Sequence, residues 1–156
     1  MADVFISYKK EEVQTAQRVI RALESEGFST WWDDRIAPAE HWDETIEREI
    51  AASHAVMVLW SPASTKSQWV RSEAQYGLEH KKLLPVLIEP CSPPIAFMLV
   101  QAINLTRWDG DTAHNAWRKV TAYLNDIVGG RAAASPARAE APREDWRAAF
   151  GKHVNG

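Results

Sequence analysis

Short apolar segments alternate along the chain with longer segments in which apolar residues recur every three or four positions. Apolar runs of this length, bounded by polar or turn-forming residues, are typical of buried β-strands, whereas the longer spacing is typical of amphipathic helices. Strands that alternate with helices indicate a parallel sheet with helices on both faces. The predicted strands are 3–7, 28–32, 54–60, 83–88 and 102–106.

The helical periodicity fills the intervals between these strands. It predicts a first helix over 10–26, a second marked by one apolar face within 42–50, and a last helix over 113–128. Ser67 is the predicted N-cap of a third helix. Pro85 interrupts the fourth strand and cannot donate a ladder hydrogen bond, which argues against full pairing there. The fold class is therefore predicted as α/β, a flavodoxin-like doubly wound sheet of five parallel strands in the order 2-1-3-4-5.

The composition changes after the last predicted helix. We expect a single domain over 1–128, followed by an Ala/Pro/Arg-rich linker over 129–142 with few residues to bury. Residues 131–142 are expected to be poorly ordered. The final segment, 143–156, is interpreted either as a short helix that docks or as the start of a further segment.

Composition and charge exclude several classes of protein. The 156 residues are 46% hydrophobic and 25% charged, as in globular domains, and the net charge of −3 gives no basic field for nucleic acid or an anionic membrane. A helix needs about 20 apolar residues to span a bilayer, and the apolar runs of this chain are far shorter. No signal peptide is visible at the start of the sequence. The single cysteine, Cys91, excludes an internal disulfide and a cysteine zinc cluster. A chain with one cysteine fits a reducing compartment, so we expect a cytoplasmic location. The five histidines lack metal-ligand spacing, so we expect no metal.

The third predicted helix carries the main candidate for chemistry. Sheets of this kind bind ligands outside the carboxyl ends of their strands, and this helix begins just after the third strand. Trp69 and Glu73 are four residues apart near its start, on a face next to the apolar stripe, which includes Gly77 for close approach to the sheet. The pattern alone leaves two interpretations open. Glu73 is either a functional carboxylate at the mouth of a cleft or a surface glutamate beside a half-buried tryptophan.

Common nucleotide-binding signatures are missing from the expected places. The loop after the first strand has no G-x-G-x-x-G pattern, and no G-x-x-x-x-G-K-[ST] loop occurs, which argues against a dinucleotide-binding dehydrogenase and a P-loop enzyme. The third strand ends in Trp60, Ser61 and Pro62. A phosphoacceptor response regulator would need an acidic residue at that position.

Five segments of the chain, taken in order, are DVFISYKK, FSTWWDD, HWDETIEREI, VMVLWSPAS and QWVRSEAQYG. Together they resemble the TIR (Toll/interleukin-1 receptor) domain in its bacterial form, over about residues 3–128. Members of that family that cleave NAD+ carry a W-x-x-x-E motif whose glutamate is required. The resemblance implies that Glu73 is the catalytic glutamate and Trp69 its aromatic companion.

The resemblance also implies a substrate-binding role for residues in two loops. Tyr8, Lys9 and Lys10 match the basic loop after the first strand, which could engage a pyrophosphate. Asp33 matches the acidic residue that ends the second strand, and Trp42 matches an aromatic position on the far side of the following loop. Many relatives have a glycine in that loop where this chain has Pro-Ala-Glu at 38–40, which indicates a stiffer loop.

The implied activity is that of an NAD+ glycohydrolase, with NAD+ as substrate and no cofactor. The nicotinamide ring of NAD+ is a pyridinium that already carries a positive charge, so it can leave without a general acid. The ribose then passes through an oxocarbenium-like state. Glu73 could stabilise that charge or hold the ribose hydroxyls. Attack by water would give ADP-ribose, and attack by the adenine of the same molecule would give a cyclic form.

The partners implied by the resemblance are other TIR domains, bound through the loop 33–42 with activation by self-association, and a sensor outside this sequence. Such an enzyme would act in bacterial immune defence or signalling. A non-catalytic adaptor that acts only through contacts between TIR domains is the alternative. A domain that binds a nucleotide signal without cleaving it is a third interpretation.

Overall fold

The computed structural model describes residues 2–32 and 44–133. Strands and helices alternate along these ranges as predicted. The strands are β1 (Val4–Ser7), β2 (Thr30–Trp31), β3 (Ala55–Trp60), β4 (Leu83–Leu87) and β5 (Ile103–Asn104). The helices are α1 (Val13–Ser25), α2 (Glu44–Ala52), α3 (Gln68–Glu79) and α4 (Asn115–Ala133). Short 3-10 helices cover Lys10–Glu12, Ser64–Lys66 and Ile95–Phe97.

The five strands form one sheet in the order β2-β1-β3-β4-β5, and every neighbouring pair is parallel. The predicted fold class and strand order are therefore confirmed. Every residue of β1 and β3 is buried, as expected for central strands with helices on both faces. In the register of these two strands Ser7 lies opposite Val58, so the last residue of β1 is fixed in the middle of the sheet.

Alternate residues of β1 belong to different hydrophobic cores on the two faces of the sheet. Val4 and Ile6 belong to the core that includes buried residues of α1 and α4, and Phe5 belongs to the core formed with α2 and α3. Successive side chains of a strand point to opposite faces. Ser7 therefore shares the side of Phe5 and faces the layer of α2 and α3.

Helix α3 is seated close to the sheet because of its glycine and its cap. A Cβ atom added to Gly77 would lie 3.1 Å from Val56 Cβ and 3.3 Å from Leu83 Cα, which is tighter than most side-chain contacts. At the other end of the helix, the Ser67 hydroxyl accepts a hydrogen bond from the Val70 N–H at 3.2 Å. Both the predicted N-cap and the predicted close approach are confirmed.

The amino end of β4 is joined to the end of α2 by a buried lysine. Lys82 Nζ donates hydrogen bonds to the carbonyl oxygens of Ile50 at 2.9 Å and Ser53 at 2.7 Å. The last carbonyls of a helix lack partners within the helix, and a cation there also complements the helix dipole. This contact holds α2 against the sheet.

The structure differs from the sequence expectations at the edges. The outer strands β2 and β5 have two residues each, where five were predicted. Pro85 does lie within an internal strand, but β5 pairs with β4 only at Val86 and Leu87, so the proline precedes that pairing. Helix α4 continues to Ala133 rather than ending at Val128. The arginine and alanines after the glycine pair are good helix formers, whereas each glycine costs about 1 kcal/mol relative to alanine.

The predicted division of the chain into a domain, a linker and a tail stays a prediction, because 134–156 lies outside the described residues. Within the parts of the chain that are described, no helix is both long enough and apolar enough to cross a membrane.

Candidate active site

The centre of the candidate site is a hydrogen bond between the carboxyl end of β1 and helix α3. Ser7 Oγ donates to Glu73 Oε1 over 2.5 Å, and both side chains are buried, at 1% and 4% exposure. A carboxylate is costly to bury unless it is hydrogen-bonded or paired. The arrangement thus holds a desolvated carboxylate at the edge of the sheet where ligands bind in doubly wound folds.

The burial of Glu73 corrects one sequence expectation. The sequence places Glu73 beside the apolar stripe of α3 rather than on it, yet both Glu73 and Tyr76 on that neighbouring face are buried. Helix α3 packs against β1 as well as β3 and β4, so the sheet covers a wider part of its surface than one stripe. Of the two interpretations left open, the surface glutamate is wrong.

Trp69 lies one turn before Glu73 on the same helix and is half-buried. It packs against the core between the sheet and helices α2 and α3. Trp31, at the end of β2, packs against the same core and stacks on Phe5 with ring centroids 5.2 Å apart. Two partly exposed indoles thus lie on the face that carries Glu73.

The three residues of the basic loop after β1 differ in burial and in surroundings. Tyr8 packs against the core of α1 and α4, with its ring 6.3 Å from that of Trp32. Lys9 is half-buried, and Lys10 is exposed at the start of a 3-10 helix. The structure therefore brings Trp69 and Glu73 together and places Tyr8 on the opposite face. Asp33 and Trp42 fall outside the described residues, as does the loop 33–42 between them.

A tight turn of two serines sets the start of α3. The Ser61 N–H donates to Ser64 Oγ at 2.7 Å, and the Ser64 N–H donates to Ser61 Oγ at 3.0 Å. The Ser64 hydroxyl also donates to the Leu59 carbonyl at 2.8 Å. These reciprocal bonds satisfy backbone groups where the chain leaves β3, in the manner of local side-chain caps. They fix the path that carries Trp69 and Glu73 to the end of β1.

A second carboxyl, Glu12, lies near the same edge and was not among the sequence candidates. Burial raises the pKa of Glu12, and the neighbouring Glu89 and Glu11 raise it further, while the Ser61 hydroxyl and the Lys9 ammonium favour the ionised form. Glu12 Oε1 is buried and has no hydrogen-bond partner within 2–32 and 44–133. No motif marks this residue. Only the fold shows that the 3-10 helix after β1 brings it beside the end of β3.

The thiol of Cys91 lies in the same acidic region. Burial raises the pKa of Cys91, and the charges of Glu89 and Glu12 add to that effect. A thiol with a raised pKa is a poor nucleophile at neutral pH, because the thiolate is the reactive form. Among the residues that the structure describes, no group of three or more His, Cys, Asp or Glu side chains is placed to hold a metal ion.

Comparison with known proteins gives one family and several solved relatives. A family model for the TIR domain matches residues 4–121. The TIR domain of the Toll-related receptor TRR-2 from Hydra magnipapillata is 23% identical, with 80% of this chain and 99% of that chain covered and a TM-score of 0.67. A metazoan TIR-STING receptor from C. gigas, in complex with 2',3'-cGAMP, is also 23% identical, with a TM-score of 0.60. That match covers 81% of this chain and 39% of the receptor.

A second structure of a metazoan TIR-STING receptor from C. gigas is 20% identical, with a TM-score of 0.57, and the match covers 81% of this chain and 40% of that chain. At these identities the solved structures show a shared fold and nothing finer. No curated protein is significantly similar to the chain.

Proposed function

The chain belongs to the TIR domain family, and we propose that it is an NAD+ glycohydrolase that breaks the bond between nicotinamide and ribose. The observation that carries this proposal is the buried Glu73 carboxylate, held by Ser7 one helical turn from the half-buried Trp69. This carboxylate lies at the edge of the sheet where doubly wound folds bind ligands. The adaptor alternative assigns no chemical role to a desolvated carboxylate at this edge.

The chemistry requires only one carboxylate. The nicotinamide nitrogen of NAD+ carries a positive charge, so the bonding electrons move to that nitrogen and nicotinamide leaves as a neutral molecule. Positive charge then develops on C1' of the ribose, as in glycoside hydrolysis. Glu73 stabilises this charge in a poorly solvated site, where electrostatic interactions are stronger than in water. Water adds to C1' and loses a proton to give ADP-ribose, or the adenine of the same molecule adds to give a cyclic product.

The surroundings of Glu73 suit the other parts of NAD+. The indoles of Trp69 and Trp31 lie on the face of Glu73 and can stack on a cationic pyridinium ring. Lys9 and Lys10 supply positive charge for the pyrophosphate. NAD+ is the substrate of this reaction and needs no further cofactor.

Free nicotinamide released from NAD+ by concentrated protein is the direct test. Glu73→Gln should lower release by about 100-fold or more, the effect of removing one charge-stabilising group. Glutamine keeps an oxygen that accepts from Ser7, so the fold should be retained. Glu79→Gln is the matched control, because Glu79 is exposed near the other end of the same helix. Undiminished turnover by the Glu73 variant would show that another group carries the reaction.

Trp69→Ala requires a measurement of stability beside that of activity. Trp69 packs against the core, so its removal can lower activity simply by loosening α3. Loss of activity with an unchanged melting temperature would indicate a contact with the substrate. A parallel fall in both would indicate packing alone.

Activation by self-association is the second part of the proposal. Oxocarbenium chemistry benefits from exclusion of water, and a partner TIR domain bound through the loop 33–42 could close the cleft of Glu73. A sensor outside this sequence would then control the enzyme, as in an immune defence or signalling pathway of a bacterium. Activity per molecule should rise steeply from nanomolar protein to a crowded assembly. A flat dependence would show that the site is complete in one chain.

A non-catalytic adaptor is the second candidate, and an exposed apolar patch favours it. Ile95, Met98 and Leu99 follow β4 and are 86%, 59% and 98% exposed. Clustered exposed apolar side chains often mark a contact with another protein. If the chain is only an adaptor, Leu99→Glu should weaken its association while nicotinamide release is undetectable even at high concentration of the wild type.

A further inference from the structure

We propose that Ser7 is a positioning residue, whose hydroxyl orients the Glu73 carboxylate and stabilises its ionised form. The catalytic consequence rests on the function proposed above, but the interaction itself can be measured without it. Ser7 was not among the residues selected from the sequence. Its role follows from the contact between the end of β1 and helix α3.

The direction of the hydrogen bond follows from the chemistry of the two groups. An ionised carboxylate can only accept hydrogen bonds, so the serine hydroxyl must be the donor. The 2.5 Å separation of the oxygens is at the short end for O–H···O⁻ bonds, which are stronger than those between neutral groups. A donor of this kind favours the charged form of the carboxylate. Ser7 therefore favours the state of Glu73 that the proposed reaction needs.

The position of Ser7 makes it a rigid support. Its backbone is paired in register with Val58 inside the sheet, and its side chain has a single torsion to the hydroxyl oxygen. Glu73 has three side-chain torsions, so an anchor on a central strand removes much of its freedom. Sites are held more accurately by residues on strands and helices than by residues on loops.

The sequence of β1 supports a specific use for this hydroxyl. The three remaining residues of β1 are all apolar and buried, namely Val4, Phe5 and Ile6. A buried hydroxyl weakens a core unless it is hydrogen-bonded, and an apolar side chain would fill the position without that requirement. A role in stability alone is the competing explanation for the bond. The experiment must therefore include observations that a purely structural role would leave unchanged.

The test uses Ser7→Ala and Ser7→Thr in the full chain, with Ser53→Ala as the matched control. Ser53 is also a buried serine, but its hydroxyl donates to the Ile50 carbonyl at 2.9 Å, at the end of α2. Titration of the Glu73 carboxyl is followed by NMR with ¹³C-labelled glutamate, and the signal is identified by its loss in Glu73→Gln. Nicotinamide release is measured over the same range of pH.

Ser7→Ala should move the midpoint of the Glu73 titration to higher pH by about one unit, because the ionised form loses its donor. The acid limb of activity should move in the same direction, and kcat should fall by about 10-fold with a smaller change in KM. Ser7→Thr, which keeps the hydroxyl, should restore both. Ser53→Ala should lower the melting temperature without moving the Glu73 midpoint or the acid limb.

An unchanged midpoint in Ser7→Ala would overturn the proposal, whatever happens to stability. If the wild type releases no nicotinamide at any concentration, the proposed function fails. The NMR midpoint then decides the role of Ser7 alone: a shift supports it, and no shift overturns it.

Discussion

Gly77→Ala is expected to destabilise the protein and to lower activity further than the loss of stability explains. In an exposed helix this change would stabilise by about 1 kcal/mol, because alanine is the better helix former. Here the new methyl group would lie 3.1 Å from Val56 Cβ and 3.3 Å from both Leu83 Cα and Leu83 Cβ. Overpacking of a dense core costs about 1–3 kcal/mol. The balance is a net loss of about 0–2 kcal/mol.

The effect on activity follows from how α3 relieves these contacts. Leu83 Cα is backbone of a central strand, so the helix rather than the sheet has to move, by a few tenths of an ångström. Glu73 lies one turn earlier on the same helix, and its bond to Ser7 is already short. Functional groups must be held within about 0.5 Å of their working geometry. We therefore expect kcat to fall by about 10-fold or more.

Denaturant unfolding and nicotinamide release measure the two effects on the same samples. Gln75→Ala is the matched control, since it also places alanine in α3 but away from the sheet, and its effect should stay within about 0.5 kcal/mol. A Gly77→Ala protein as active as the wild type and more stable than it would refute the reasoning. That result would show that α3 does not lie so close to β3 and β4.

Three further outcomes are expected. Lys82→Met should lower the free energy of unfolding by about 2–4 kcal/mol in denaturant, because the carbonyl oxygens of Ile50 and Ser53 lose a charged donor in the core. Glu12 has a raised pKa in the folded state, so the native protein holds its proton to higher pH than the unfolded chain and loses stability as pH rises above the ordinary value of 4.5. Glu12→Gln should remove that loss, so the stability of the variant relative to the wild type should be greater at pH 6.5 than at pH 4.5. Cys91 should react with a disulfide reagent more slowly than free cysteine at pH 8, and Glu12→Gln should accelerate it; equal rates would contradict the raised pKa.

The fold could be predicted because its signals are local. Alternation of apolar runs with helical spacing fixes the order of elements, and single residues such as Ser67 and Gly77 mark a helix start and a close approach. The sequence overestimates the lengths of the edge strands β2 and β5, because the composition of an apolar segment does not show how many of its residues have a partner strand to pair with. Pairing depends on the partner strand.

The site could be predicted only in part, because it depends on contacts between distant segments. Family resemblance pointed to Glu73 and to the loop that begins at Tyr8. It did not show that Tyr8 and Ser7 point to opposite faces of the sheet, so that Ser7 is the residue that meets Glu73. The alternation of side chains along β1 contains that information once the neighbouring helix is known. Glu12 has no comparable signal, because the folded loop creates its environment.

The burial of Glu73 is itself an argument about function. A helix packed on the end of a central strand would gain stability from an apolar side chain at that position, because even a well-paired buried charge rarely outperforms hydrophobic packing. The chain instead places a carboxylate there and supplies a serine from β1 to hold it. Residues that weaken a fold are expected at sites where function requires them. The hydrogen bond from Ser7 lowers the cost of burying the Glu73 carboxylate and also orients that carboxylate towards the ligand edge of the sheet. One contact therefore serves both the stability of the fold and the proposed chemistry.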